Sequence, residues 1–370
     1  MKENKITVNL RDKAYSIFIK KDILPQAGKY LSALKISKKI LVVSQNKVPS
    51  IYIRKVKDSL SKVGFKVFIL ILPSGERYKN LESLLKIINF AIKNKFERND
   101  SFLALGGGVV SDLTGFASSI YFRGNNFICI PTTLLGIVDA SIGGKTSINI
   151  KEGKNLLGTF YQPKIILIDP TCIKTLPKRE FLVGMGEVIK YALLDTTANS
   201  SFSQKDFFSY LKSNRKNILR HESSAITKII THSAKVKAHV VSKDEKESNL
   251  RAILNLGHTF AHGIEQAYNY TKYTHGEAVS IGMCLAARVS CNHNFITKHQ
   301  RDSIIDLISL YNLPVRLKSS SKLSKITKAM LLDKKAEDGK LRFILPYNKI
   351  GKVKIVNDIT LEEVNSVFRE

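Results

Sequence analysis

The chain has 370 residues, 44% of them hydrophobic, with 59 Lys+Arg against 31 Asp+Glu for a formal charge of +28. That is too long for one simple core and suits two domains. The longest apolar run, Val67–Leu72, is far too short to span a bilayer, and the start, Met-Lys-Glu-Asn-Lys, lacks the apolar core of a signal peptide.

The lysines are spread along the chain, so most of the charge reads as solvated surface, with nucleic-acid binding a minority option. Cys129, Cys172, Cys284 and Cys291 have no C-x-x-C spacing and lie among apolar residues, as expected of reduced thiols in a soluble cytoplasmic protein. Ile6–Leu10 and Tyr15–Ile19 alternate and predict a hairpin. Lys39–Val43 and Lys66–Leu72 are nearly continuous apolar runs around a helical Tyr52–Val63, a β-α-β pattern that implies a parallel sheet buried on both faces. Leu81–Asn94 predicts a further helix, and the strand Ser101–Leu105 runs into Gly106-Gly107-Gly108.

Three glycines let the backbone approach a phosphate, and a helix starting near Val109 directs free N–H groups at it. Ser111 stands where G-x-G-x-x-G has its third glycine, so a tight turn is the competing reading. The strand Phe127–Ile130 ends in Pro-Thr-Thr, which puts Thr132 and Thr133 at the carboxyl end of the sheet, where open α/β sheets bind ligands. Gly143-Gly144-Lys145-Thr146 fails as a P-loop because Asp139 replaces the first glycine. What remains is a glycine-rich segment offering Lys145, Lys154 and Asn155 to an anion, before a last strand, Lys164–Asp169.

From Pro177 onward helices are predicted at Arg179–Leu194, Asp206–Leu219, Ser223–Val241, Leu250–Ala267, Glu277–Cys291 and Gln300–Leu310. The expected architecture is an α/β Rossmann-like domain over residues 1–176 followed by an all-α domain over 177–370, with the site in the cleft between them. His258 and His262 are four apart, hence on one face of a helix over Leu254–Gln266, and His275 follows. These histidines, beside Arg251, Asn255 and Glu277, point to a metal or proton-transfer site. Glu187 lies on an otherwise apolar stretch, where an ion pair with Lys190 is one reading. The other makes it the missing ligand, since one carboxylate and two histidines form a catalytic zinc arrangement.

Gly-Gly-Gly-Val-Val-Ser-Asp-Leu-Thr-Gly-Phe-Ala (106–117), Pro-Thr-Thr-Leu-Leu (131–135), Asp-Ala-Ser-Ile-Gly-Gly-Lys-Thr (139–146), Gly-Lys-Asn (153–155), Gly-Glu-Val-Ile-Lys-Tyr (186–191), Leu-Asn-Leu-Gly-His-Thr-Phe-Ala-His (254–262) and His-Gly-Glu-Ala-Val (275–279) closely resemble 3-dehydroquinate synthase. The resemblance runs along nearly the whole chain. It implies an N-terminal Rossmann-like domain and a helical C-terminal one, bound NAD, a divalent metal (usually zinc, with cobalt as the alternative), and a homodimer without nucleic-acid or membrane partners. Carried over by position, Glu187, His258 and His275 resemble the metal ligands, and His262 becomes a substrate-side or proton-transfer group.

Glu76, Lys79, Gly107, Gly108, Val109, Asp112, Thr132, Thr133, Lys145, Lys154 and Cys172, Ile173, Lys174 and Thr175 match cofactor contacts. Asp139, Lys145, Asn155, Lys190, Lys243, Arg251 and Asn255 match the substrate pocket, Arg123 a phosphate contact reaching a neighbouring subunit's site, and Lys334 or Lys335 a further one. Ser74 and Ser44-Gln45-Asn46 depart from the family pattern and bear on the adenosine contacts alone. The implied reaction turns 3-deoxy-D-arabino-heptulosonate 7-phosphate into 3-dehydroquinate and phosphate, in the shikimate pathway of aromatic amino acid biosynthesis. Another sugar phosphate cyclase, or a metal-dependent polyol dehydrogenase of the same fold, is the alternative. A basic RNA-binding protein would account for the charge but not for Glu187, His258 and His275.

Overall fold

The structure, a computed structural model, describes residues 3–198, 207–319, 321–332 and 341–369. By packing, the chain divides into two compact units: Met1–Pro177 with Ile226–Lys246, and Lys178–Ala225 with Glu247–Glu370.

The first unit is built on a seven-stranded sheet. In chain order its elements are β1 (Asn4–Val8), β2 (Tyr15–Ile19), α1 (Ala27–Ser32), β3 (Lys39–Gln45), α2 (Ser50–Ser61), β4 (Lys66–Leu72), α3 (Leu81–Lys93), β5 (Ser101–Gly106), α4 (Gly108–Ile120), β6 (Asn126–Pro131), β7 (Lys145–Ile150), β8 (Gly153–Phe160) and β9 (Ile165–Ile168). The sheet order is β1-β2-β9-β6-β5-β3-β4, parallel except for the β1–β2 hairpin.

The continuous apolar strands follow from burial on both faces. Ile40 and Val42 of β3 pack with Tyr52, Val56 and Leu60 of α2, while Leu41 and Val43 pack with Leu84 and Ile87 of α3 and Leu113 of α4. The connection from β3 leaves toward β4 and the next returns to β5 on β3's other side, so β3 and β5 flank the topological switch point. Crevices at such points, beyond the carboxyl ends of the strands, bind ligands. The glycines Gly106–Gly108 lie there, where β5 ends and α4 begins. The segment read only as glycine-rich is a separate antiparallel hairpin, β7–β8, with a register shift between Ile148 and Ile150.

The second unit carries α5 (Lys178–Leu194), α6 (Phe207–Ser213), α7 (Arg215–Leu219), α9 (His258–Ala267), α10 (His275–Asn292), α11 (Lys298–Leu310), α12 (Leu323–Leu332), the hairpin β10 (Phe343–Tyr347) and β11 (Lys349–Val356), and α13 (Leu361–Arg369). Most of α8 (Ser223–Lys243) belongs to the first unit, where Ser242 accepts a hydrogen bond from the Asn9 backbone at 2.9 Å. The expected all-α region therefore gives up most of α8 and gains one hairpin: Phe343–Tyr347 and Lys349–Val356 pair antiparallel across a turn at Asn348, whose φ of +65° suits asparagine. The single helix expected over Leu250–Ala267 is broken. Leu250–Asn255 is a 3-10 turn and Gly257, at φ +78°, starts α9 at His258. No helix among the described residues is long and apolar enough to cross a membrane.

Candidate active site

In the second unit Glu187, His258 and His275 converge. Their ligand atoms all lie within 4.8 Å of one another, the one such group among the described residues. Glu187 Oε1 is 3.7 Å from His258 Nε2 and 3.6 Å from His275 Nε2. Glycines permit this approach. A Cβ on Gly186 would sit 2.8 Å from the Gly276 carbonyl oxygen, and one on Gly276 would run into the Val183 carbonyl. The backbones of α5 and α10 therefore meet beside Glu187 and His275.

Each histidine begins a helix, with its other ring nitrogen near an acceptor. His258 Nδ1 is 3.2 Å from the Leu256 carbonyl oxygen, and His275 Nδ1 is 3.4 Å from Glu265 Oε2. Burial alone would lower the His275 imidazole; the Glu265 and Glu187 carboxylates outweigh it and hold it up at about 10. Two carboxylates flank this one imidazole, and Glu187 has a lysine partner, Lys190. One carboxylate with two imidazoles is a fitting donor set for a divalent metal.

Glu187 has 0% exposure and also pairs with the buried Lys190 of α5. Both readings of Glu187 thus describe the same carboxylate. His262 stands beside the set, its ring centroid 5.6 Å from that of His258, and contributes no atom to it. Glu277 is a helix cap: its Oε2 accepts from the Thr274 backbone at 2.8 Å and pairs with Arg179 at 3.0 Å. Arg251 is fully buried in the turn before α9, and Asn255 donates to Glu247.

The first unit holds a second constellation. Lys79 is buried, donates to Asn155 Oδ1 and pairs with Asp112 of α4. Burial pushes the Asp112 carboxyl up from the usual carboxylate range, and Lys79 only partly offsets this. Asn155 Oδ1 also accepts from Ser147 at 2.9 Å. Asn149, at the β7 register shift, ties the hairpin to the segment after β4: its backbone N–H donates to the Lys79 carbonyl at 2.7 Å, its amide to Glu76 Oε1 at 2.8 Å, and its Oδ1 accepts from the Asn155 N–H at 3.0 Å.

The N-terminus of α4 is capped by no side chain among the described residues, which leaves its N–H groups for an anion. Gly107 lies against Thr133, where a Cβ would meet Cγ2 at 3.1 Å, and the Thr132 N–H donates to the Gly106 carbonyl. This open helix start at the switch point fits a dinucleotide phosphate.

Other expected residues are dispersed. Lys145 opens β7 and is exposed, and Lys154 is half-buried in β8. Cys172 and Ile173 are buried, Lys174 is exposed, and Thr175 bonds the Tyr52 hydroxyl at 2.7 Å. Arg123 is exposed in a turn where both it and Phe122 have positive φ. Lys334 and Lys335 lie outside the described residues.

Asp139 meets Lys237, at 2.6 Å through Oδ1 and at 2.6 Å through the backbone carbonyl, whereas Lys243 is exposed at the end of α8. Lys237, Asn149 and Glu265 were missed in the sequence. A buried lysine on α8 looks like any other there, and a register shift is invisible, but Glu265 carried a signal: it is seven residues after His258 and three after His262, on their helical face.

Residues 69–183 match the family described as 3-dehydroquinate synthase N-terminal, and residues 184–336 that described as 3-dehydroquinate synthase C-terminal. A 3-dehydroquinate synthase from Thermodesulfovibrio yellowstonii is 43% identical over 366 residues, 99% of each chain. A solved 2-epi-5-epi-valiolone synthase from Streptomyces hygroscopicus, with NAD+ and Zn2+ bound, is 27% identical over 97% of each chain, with a TM-score of 0.87. A 2-deoxy-scyllo-inosose synthase complexed with carbaglucose-6-phosphate, NAD+ and Co2+ shares the fold, with a TM-score of 0.85 at 24% identity over 99% of each chain. With both halves matched in order and a relative this similar end to end, the chain belongs to the 3-dehydroquinate synthase family.

Proposed function

We propose that this chain converts 3-deoxy-D-arabino-heptulosonate 7-phosphate to 3-dehydroquinate and phosphate, as an NAD- and metal-dependent carbon–oxygen lyase of the shikimate pathway. The observation that carries the reading is the buried Glu187, His258 and His275 set in a chain of this family. When bound, NAD would take up and return a hydride, and a divalent metal, zinc in this reading, would polarise the substrate oxygens.

The chain's own residues bind, orient and move protons. Glu187, His258 and His275 would hold the metal. Lys190, fixed against Glu187, and the buried Arg251 place positive charge for a carboxylate or phosphate. Asn155, held by Lys79 and Ser147, presents its amide at a fixed angle, and Lys237 fixes Asp139. Such fixed orientation supplies much of the rate of an intramolecular sequence. His262, beside the ligands yet outside them, is the proton-transfer group. Gly107–Val109, Asp112, Lys79 and Glu76 would hold NAD at the switch point.

The exposed Leu156, Leu157 and Phe160 of β8 support a homodimer, and free, mostly buried cysteines support a cytoplasmic setting. Incubating the purified chain with the heptulosonate phosphate, NAD and zinc should release phosphate and dehydroquinate in equal amounts. A different carbocycle would assign it to another cyclase reaction, and a steady gain of NADH to a dehydrogenase.

A further inference from the structure

We infer that Glu265 is the residue that positions His275 for the metal, an inference that rests on the metal site proposed above. An imidazole that binds a metal through one nitrogen carries its hydrogen on the other, and that N–H needs an acceptor to fix the ring. His258 finds one in the Leu256 carbonyl, 3.2 Å from Nδ1. The corresponding acceptor for His275 is the Glu265 carboxylate, 3.4 Å from Nδ1.

Glu265 is 5% exposed, and a carboxylate this far from water is held where it serves a donor or a cation. It is not a fourth ligand. Its oxygen faces Nδ1, whereas Nε2 of the same ring faces Glu187, so the imidazole stands between Glu265 and the convergent atoms. The helix makes the arrangement rigid, since His258, His262 and Glu265 share one face of α9. One short helix thus supplies a ligand, a proton-transfer group and the acceptor that orients a ligand on α10. A charged acceptor also makes the ring a stronger donor than a neutral carbonyl does. The two histidines therefore differ, with His275 the more tightly governed by its partner.

The test is zinc affinity of the metal-stripped protein, measured by competition with a chromophoric chelator, with folding checked by circular dichroism. Glu265→Ala should weaken zinc about 10–100-fold. Glu265→Gln, nearly isosteric, keeps a neutral acceptor and should lose less; it decides the matter if the alanine variant fails to fold. In a His275→Ala background the Glu265 substitutions should cost no further affinity, because the ring they act through is gone. Unchanged zinc affinity in both Glu265 variants, or the same loss with and without His275, overturns the assignment. If the unmutated protein itself binds no zinc, the metal site falls and Glu265 with it. Full zinc binding that ignores Glu265 removes this inference alone.

Discussion

His258 and His275 present the same ring nitrogen, Nε2, to one oxygen of Glu187, at 3.7 and 3.6 Å. They reach it from the first residues of two different helices, so neither α9 nor α10 alone makes the site. Removing either should leave a two-donor site that still binds zinc, but far more weakly. His258→Ala should reduce zinc content below stoichiometric and abolish turnover while the apo fold survives. Full zinc occupancy by elemental analysis would exclude His258 as a ligand.

Glu187 should behave differently, because its carboxylate also faces the buried Lys190 ammonium. Glu187→Gln removes that counter-charge as well as a ligand. Breaking a buried pair on one side costs about 3–5 kcal/mol. Glu187→Gln should therefore lower the Tm of the metal-free protein, while His258→Ala leaves it nearly unchanged. Equal apo melting temperatures would show that the pair contributes little.

His262→Ala should keep stoichiometric zinc and lose activity by about 10²–10⁴-fold, the range for a positioned acid or base. Its ring lies beside His258 but offers no atom to the convergent set. Zinc loss in this variant would make His262 a ligand.

How much of this was legible in the chain varies with the kind of constraint. Lys66–Leu72 was legible to the residue, because even at the edge of the sheet its side chains pack alternately on both faces, Val67 and Ile69 against one core and Phe68 and Leu70 against the other, which makes it apolar nearly throughout. The β7–β8 hairpin was not, since β7 buries the polar Thr146 and Ser147 beside Ile148 while β8 is largely exposed, so neither strand shows an apolar alternation. Glu187, His258 and His275 stood out by type, but their convergence depends on Gly186 and Gly276 meeting, a contact that no spacing encodes. Gly257 shows the limit from the other side. Leu250–Ala267 has helical periodicity throughout, yet a left-handed glycine divides it and makes His258 the first helical residue. Lys237 and Lys243 are both lysines of α8, and only tertiary packing brings Lys237 to Asp139.

That close approach is itself testable. Gly186→Ala inserts a methyl group 2.8 Å from the Gly276 carbonyl oxygen, which must push α5 and α10 apart. Overpacking of this kind costs about 1–3 kcal/mol. The displacement should separate Glu187 from His275, so zinc affinity should fall along with Tm. A variant that loses stability and retains zinc affinity would uncouple the helix contact from the site.

The last prediction concerns which dinucleotide binds. A carboxylate near the adenosine ribose accepts from its hydroxyls, whereas a 2′-phosphate there calls for Arg. Glu76 follows β4 at the carboxyl edge of the sheet, and its Oε1 accepts from the Asn149 amide at 2.8 Å. Asn149 is anchored in turn through the Lys79 carbonyl and the Asn155 N–H, which fixes the carboxylate in place. Arg77 is the residue that could favour NADP, but its guanidinium bonds the Tyr78 hydroxyl at 2.9 Å and lies 4.7 Å from the centre of that ring. The fixed negative charge therefore dominates, and NAD should bind more tightly than NADP. Glu76→Ala should weaken NAD and narrow the preference. Asn149→Ala should narrow it too, by releasing the carboxylate without removing it. Titrating cofactor-free protein with each dinucleotide decides the matter: equal or tighter NADP binding by the unmutated chain would remove Glu76 from the ribose site.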